Sequence, residues 1–359
     1  MEKTEGNRYR GFAENFPQIC GDYLEELWMS PALLEALSVS SCFDARKIIL
    51  TGSGAGYAAA LAAEPLFTQW CDIFFGTEVV PQSEFNYFNN VAAMGIGEPN
   101  TPLVIVLTEE VDDPDAAQSL AVAREAGANT LLLCSGTKSA QAPEAQSSLC
   151  LGVEAGPSYL PRAYLKLTLA LLCTGVRIAR ARGSIHPGQL SHLRKSIKDY
   201  TAGTAALLPA MDEAAKDFAR RCAGMDRFDY IADWEGRGAA HFLGTLGARE
   251  LGQQYTVNDC EEWCHVGYWM EDRFHLCTVV FGNRCQPSFS RVVETMGCVH
   301  KLERPYLFLT DASGEEFLEG TRRCPIPSPP SGSPWMAGLV SWLPVLLAFG
   351  YLKEGGESL

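Results

Sequence analysis

The chain has 359 residues, more than one domain usually holds, so two domains are expected. Hydrophobic residues make up 47% and charged residues 20%, the balance of a folded protein with a large core. The formal net charge of -14, with no basic stripe anywhere, excludes a nucleic-acid surface, which needs clustered Lys and Arg. The first residues, MEKTEGNRYRGF, have no apolar run behind their charges, so no secretory signal is expected. Thirteen cysteines lie scattered without framework spacing, which suits a reduced, cytoplasmic chain better than a disulfide scaffold.

Residues 1–45 read as an N-terminal helical arm, with Tyr23, Leu24, Leu27, Trp28, Leu33, Leu34 and Leu37 at helical spacing. KIILTGSG at 47–54 is a β-branched run ending in glycines, and an alanine-rich helix follows from Tyr57 to Trp70. LVIVLTEE at 103–110 is a strand, Asp115 to Ala126 a helix, and NTLLLCSG at 129–136 a strand. That alternation predicts parallel βαβ units. Ser158 to Arg180 is a long apolar helix, and the charged helical stretch Pro187 to Cys222 closes the first half.

The plan then repeats. DYIADWEGRG at 229–238 is a strand ending in glycines, followed by the helix Ala239 to Gln253. FHLCTVVFG at 274–282 is a strand, Ser288 to His300 a helix, and PYLFLTD at 305–311 a strand. After the Pro-rich loop CPIPSPPSGSP, Trp335 to Leu352 is apolar over about one membrane thickness. Pro344 lies inside that stretch, and it reads as a buried core helix with no membrane partner. Two halves of like order indicate an internal duplication. The expected organisation is an arm over 1–45, a first α/β domain over 46–190, a helical connector over 191–225 and a second α/β domain over 226–359. Each domain is expected to hold a five-stranded parallel sheet between helices.

Thr51-Gly52-Ser53-Gly54-Ala55-Gly56 places glycines at a strand-to-helix turn, where backbone approaches a ligand and the helix N-terminus favours an anion. The spacing is GxGxG and not GxGxxG, and no acid follows at the end of the next strand for a ribose, which speaks against a nicotinamide cofactor. A tight turn with no ligand is the competing reading.

TGSGAGYAAALAAEPLF, SEFNYF at 83–88 and VEAGPSYLPRAYLKLTLALL at 153–172 resemble a first sugar-isomerase (SIS) domain. GRGAAHFLGTLGARELGQQ and NDCEEWCHVG at 258–267 resemble a second. Over about residues 20–352 the chain is similar to the double-SIS proteins, which include the isomerase half of glucosamine-6-phosphate synthase and the fructosamine-6-phosphate deglycases. The resemblance implies proton transfer between C1 and C2 of a sugar derivative, with no cofactor, and a homodimer. Such chemistry needs a carboxylate base and a second group to open the ring or shuttle a proton. The matching residues are Glu250 as base and His265, which the family lends to the neighbouring subunit, with Glu262 opening the E-x-x-H element. Taken alone, Glu250 reads as a solvated helix-end carboxylate and His265 as a satisfied histidine. Cys260, Cys264 and His265 have no second ligand half elsewhere, so no metal site is expected.

The resemblance also implies substrate contacts from Ser53, Gly54, Gly56, Thr108 and Arg162. Here the chain departs from the family. The family's S-x-S-G-E-T phosphate loop is replaced by Thr108-Glu109-Glu110-Val111-Asp112-Asp113-Pro114, whose carboxylates would repel a phosphate. The family's T-K pair becomes Pro161-Arg162, which keeps the positive charge. Synthase-type members also carry a lysine in a tail beyond the last helix; here the segment reads GYLKEGGESL, and Lys353 is not assigned that role. The leading expectation is an isomerase or deglycase of a phosphosugar or amino-sugar derivative, one whose amines could pair with Glu109, Glu110 and Asp113; the alternative is a non-catalytic sugar-derivative-binding or regulatory protein, and a cation bridging the acidic loop and a phosphate is a third account.

Overall fold

The computed structural model describes residues 7–71, 76–88, 94, 101–137, 145–270 and 275–356; the expectations resting on residues 1–6 and on Phe274 lie outside them. The chain forms two compact units, Gly21–Lys195 and Met1–Cys20 with Ser196–Leu359. Both boundaries fall inside helices, α1 (Phe16–Leu27) and α6 (Pro187–Arg221), so the expected arm and connector are not separate bodies.

In the first unit the strands are β1 (Ile48–Gly52), β2 (Thr77–Pro81), β3 (Leu103–Thr108), β4 (Asn129–Cys134) and β5 (Ser147–Cys150). They form one parallel sheet in the order β2-β1-β3-β4-β5. Every residue of β1 and β3 is buried, as expected of central parallel strands covered on both faces. The helices are α2 (Gly54–Trp70), α3 (Gln82–Phe88), α4 (Pro114–Glu125) and α5 (Tyr159–Ala181). Ile49, Val104, Val106, Leu120 and Leu132 share one apolar cluster with Phe85 of α3. The alanines of α2 bring it close to α5: a Cβ on Gly175 would stand 2.5 Å from Leu66 Cδ2.

The second unit repeats the topology with β6 (Arg227–Ile231), β7 (Gln254–Asn258), β8 (Leu276–Gly282), β9 (Tyr306–Thr310) and β10 (Arg323–Pro325), ordered β7-β6-β8-β9-β10 and again parallel. Its helices include α7 (Arg237–Leu251), α8 (Cys260–His265), α9 (Phe289–Lys301) and α10 (Leu343–Gly356). The buried carboxylate of Asp229 on β6 accepts hydrogen bonds from Trp263 Nε1 and, at 2.7 Å, from Thr256 Oγ1, which ties α8 to the sheet. Burial pushes the Asp229 carboxyl above the usual carboxylate range, against the pull of these donors.

The expected arm is helical at Arg10–Glu14 and in α1, but its first residues belong to the second unit. The reason is aromatic: Phe12, Phe16 and Phe242 gather on Trp342, with ring centroids 5.8, 5.8 and 5.4 Å away. Asn7 Nδ2 also donates to the Leu347 carbonyl at 2.6 Å. The apolar C-terminal stretch is long and apolar enough to span a membrane by composition, yet 89% of that window is buried inside the protein. It is interrupted after Val340 and restarts with Pro344 in the first turn of α10, where a missing N–H is harmless. No disulfide joins any of the thirteen cysteines.

Candidate functional site

At the first glycine loop, β1 ends on Gly52 and α2 starts on Gly54, whose φ of +51° is a left-handed conformation that favours glycine. Gly52 and Gly56 serve close approach: a Cβ would lie 2.6 Å and 2.7 Å from the Leu107 carbonyl oxygen. Ser53 is exposed and makes no capping bond. Ser53 and Gly54 line a pocket of about 450 Å³ with Tyr57, Gln82, Asn86 and Asp115, whereas Gly56 lies beneath it and supports the loop.

The loop after β3 is closed by the chain's own carboxylate. The buried Thr108 hydroxyl lies 3.0 Å from both Asp113 Oδ2 and the Glu110 carbonyl, and the Glu110 amide donates back to Thr108 Oγ1 at 3.3 Å. Asp113 Oδ1 accepts the Asp115 amide at 2.9 Å and caps α4, with Pro114 at its first position. A helix N-terminus that would suit an anion is thus occupied from within. Glu109 and Glu110 line a neighbouring pocket of about 290 Å³ with Asp112, Gly136 and Tyr159. Tyr159 stands 3.1 Å from the Ser135 hydroxyl, and burial raises its phenol above the ordinary value. Arg162 sits in the first turn of α5 and is not among the described lining residues of either pocket; no Lys or Arg is.

In the second unit Glu250 sits at the C-terminal end of α7, just before Gly252 ends the helix in a left-handed turn with φ 67°. Its carboxylate is gripped by Arg8 Nη1 at 2.7 Å and Lys353 Nζ at 2.7 Å, leaving the side chain 20% exposed. Lys353 therefore has a definite place, binding the last helix to α7. His265 is the last residue of α8, 71% exposed, with Nε2 3.2 Å from Glu261 Oε1. Glu262 is exposed, and its backbone amide is capped by Asp259 at 2.7 Å. A helix of fifteen residues spans roughly 20 Å, so Glu250 lies at the N-terminal edge of the β6–β10 sheet. The α8 segment begins at the opposite, C-terminal edge. Within the second unit Glu250 and His265 are not brought to one site.

What the C-terminal edge of the second sheet does hold is a pocket of about 480 Å³ lined by Asp233, Trp234, Glu235, Arg237, Ser288 and Arg291, with Asp259 and Glu261 at its rim. The sequence reading missed these residues. The signal was present in Asp233-Trp234-Glu235, two carboxylates immediately after a strand and before a glycine turn. Cys260 lies 1% exposed beneath this pocket and Cys264 is 3.6 Å from the Thr295 hydroxyl; among the described residues no three His, Cys, Asp or Glu side chains converge as metal ligands.

Comparison with known proteins gives the same architecture. The C-terminal domain of glucosamine-fructose-6-phosphate aminotransferase from Francisella tularensis superposes with a TM-score of 0.78 at 15% identity, over 99% of each chain. The chain has the double sugar-isomerase fold. Tagatose-6-phosphate ketose/aldose isomerase from Escherichia coli shares this fold at TM-score 0.70 and 12% identity, over 97% of this chain and 93% of that one. Glucosamine-6-phosphate deaminase from Thermotoga maritima shares it at TM-score 0.66 and 12% identity, over 98% and 95%. No protein-family model and no curated protein sequence matches the chain.

Proposed function

We propose that the chain binds a sugar derivative bearing an amine and no phosphate, in the crevice over the C-terminal edge of the first sheet. The observation that carries this reading is the Thr108–Asp113 closure. It consumes a hydroxyl and a helix N-terminus that a phosphate would need, and it brings Glu109, Glu110 and Asp112 to the adjacent pocket. Carboxylates at short range repel a phosphate and attract an ammonium. The Ser83 hydroxyl offers a partner for sugar hydroxyls and Tyr57 a ring face, while Gln82 and Asn86 form the pocket floor, held by Ser119 and the Asp115 carbonyl. The three solved structures named above carry sugar-phosphate enzyme names, so in this reading the change concerns the substrate group and leaves the sugar as the common feature. We place the protein in the cytoplasm, as thirteen thiols without a disulfide suit a reducing compartment.

Thermal-shift measurements against glucosamine and a fructosamine, each with its 6-phosphate, test this reading. A ligand that binds only the native state raises Tm. The unphosphorylated amines are expected to raise it and their phosphates not; a rise confined to the phosphates would contradict the reading.

A second reading keeps catalysis, isomerisation or deglycation, with Glu250 and His265 moving the proton. It is favoured by the exposure of His265, which is open to a neighbouring subunit in a homodimer; the ion pairs of Glu250 with Arg8 and Lys353 would have to open for its carboxylate to take a proton. Under it, Glu250→Gln abolishes turnover of the amine that raises Tm and leaves that rise intact. Turnover unchanged in this variant would rule Glu250 out as the base.

A further inference from the structure

We propose that the second unit holds a sugar-ring site of its own, over the C-terminal edge of the β6–β10 sheet, with Glu235 as its buried acceptor and Trp234 as its stacking face. The site uses none of the first-half residues, so it stands or falls separately from the function proposed above. Both sheets have the same strand order, and in each the first strand turns into an N-terminal helix end beside a pocket. Open α/β sheets bind ligands at that edge.

The two carboxylates of the turn have different commitments. Asp233 is fully engaged: it accepts the Cys260 amide at 2.9 Å, Gln286 Nε2 at 3.4 Å and the Ser288 hydroxyl. Glu235 is only 4% exposed yet lines the cavity, and among the described residues no side chain donates a hydrogen bond to its carboxyl. A carboxyl so placed has few protein donors to offset its partial loss of water. A ligand hydroxyl or ammonium would supply them. Burial, with the charge of Asp233 adding to it, also raises the Glu235 carboxyl above its ordinary value, which such a donor would reverse.

The turn is fixed in place. A Cβ on Gly236 would lie 3.0 Å from Phe281 Cβ, and one on Gly338 would lie 2.9 Å from the Glu235 carbonyl oxygen. Beside Glu235, Trp234 is 41% exposed, an indole face suited to the C–H face of a sugar ring. Arg237 and Arg291 line the wall, Arg291 with its guanidinium held by Glu261 and Glu294 at 2.8 Å each. Of the four carboxylates at the pocket, Glu261 is paired with Arg291 at 2.8 Å and Asp233 and Asp259 accept backbone amides, so Glu235 is the acceptor facing the cavity, and the net negative lining favours a ring with an amine over one with a phosphate.

Titration of the full chain with D-glucosamine, followed by calorimetry and by tryptophan fluorescence, tests the site. Two equivalents are expected to bind. Trp234→Ala, at an exposed position, and the isosteric Glu235→Gln should each weaken one equivalent at least tenfold. Ser83→Tyr, which fills the first-half pocket, should remove the other and leave the Trp234 signal. A single equivalent lost in Glu235→Gln would sustain this site and sink the first-half reading. Binding unchanged in both Trp234→Ala and Glu235→Gln, or no binding of glucosamine at all, would overturn the second site.

Discussion

Gly56→Ala is expected to destabilise the first unit by about 3 kcal/mol, the upper part of the range for overpacked cores. The added methyl would stand 2.7 Å from the Leu107 carbonyl oxygen and 3.1 Å from Leu107 Cβ. Those atoms belong to β3, which is hydrogen-bonded to β1 on one side and β4 on the other, so the strand cannot retreat. The helix would have to lift instead, opening the pocket beside Ser53 and Gly54. Gly21→Ala, in the interior of α1 with open space around its Cα, is the control. It should be neutral or stabilising by up to about 1 kcal/mol, because alanine restricts the unfolded chain and favours the helix. Chemical denaturation of both variants checks the contrast. Equal effects would mean that Gly56 is there for a ligand and not for the approach of α2 to β3.

The second large effect is a pH dependence at His241 on α7. Burial, helped by the charge of Arg237, lowers its pKa from the usual value to about 4. Unfolded, the ring takes a proton near pH 6.5, so between these values the unfolded state binds more protons than the folded one. Stability from this residue is full above about pH 6.5 and is lost as pH falls towards 4. The loss reaches about 3 kcal/mol there. Asp229 and Glu235, whose pKa values are raised, act with the opposite sign, contributing most at low pH and losing that contribution as pH rises. Comparing unfolding free energies of the wild type and His241→Gln from pH 7 to 4 isolates the histidine. The difference between the two should shrink or reverse on acidification; a constant difference would show that His241 titrates normally.

Much of the architecture is legible in the sequence because buried parallel strands announce themselves. β1, β3, β4, β8 and β9 are apolar runs, and glycines or turn residues mark their ends. The edge strands β2, β5, β7 and β10 read weakly: TEVVP, SSLC, QYTVN and RCP are short and half-exposed, without the continuous apolar pattern of a two-faced core. The N-terminal arm could be read as helical from its spacing, but not as part of the second unit. That follows from Phe12 and Phe16 meeting Trp342, more than 300 residues away in sequence, a contact no local pattern encodes.

The site was legible only in pieces. The carboxylates of the loop after β3 are plain in the sequence, but Asp113 capping α4 while holding Thr108 needs the folded turn. Glu250 could be matched to a catalytic position by its neighbours in sequence. Its two cations come from Arg8 and Lys353, nearly 350 residues apart in sequence, and no spacing shows those ion pairs. Glu235 was overlooked because a carboxylate beside a glycine turn looks solvated until its burial is known.

The central claim, that an internal carboxylate has taken the place of a substrate phosphate, is tested most directly by the ratio of two affinities. Kd would be measured by calorimetry for glucosamine and for glucosamine 6-phosphate on the Trp234→Ala variant, so that the second-unit pocket does not contribute, at the same salt concentration. The account predicts tighter binding of the unphosphorylated sugar by tenfold or more, a gap that narrows as salt screens the acidic loop. Tighter binding of the 6-phosphate would contradict it and return the loop after β3 to an anion-binding role.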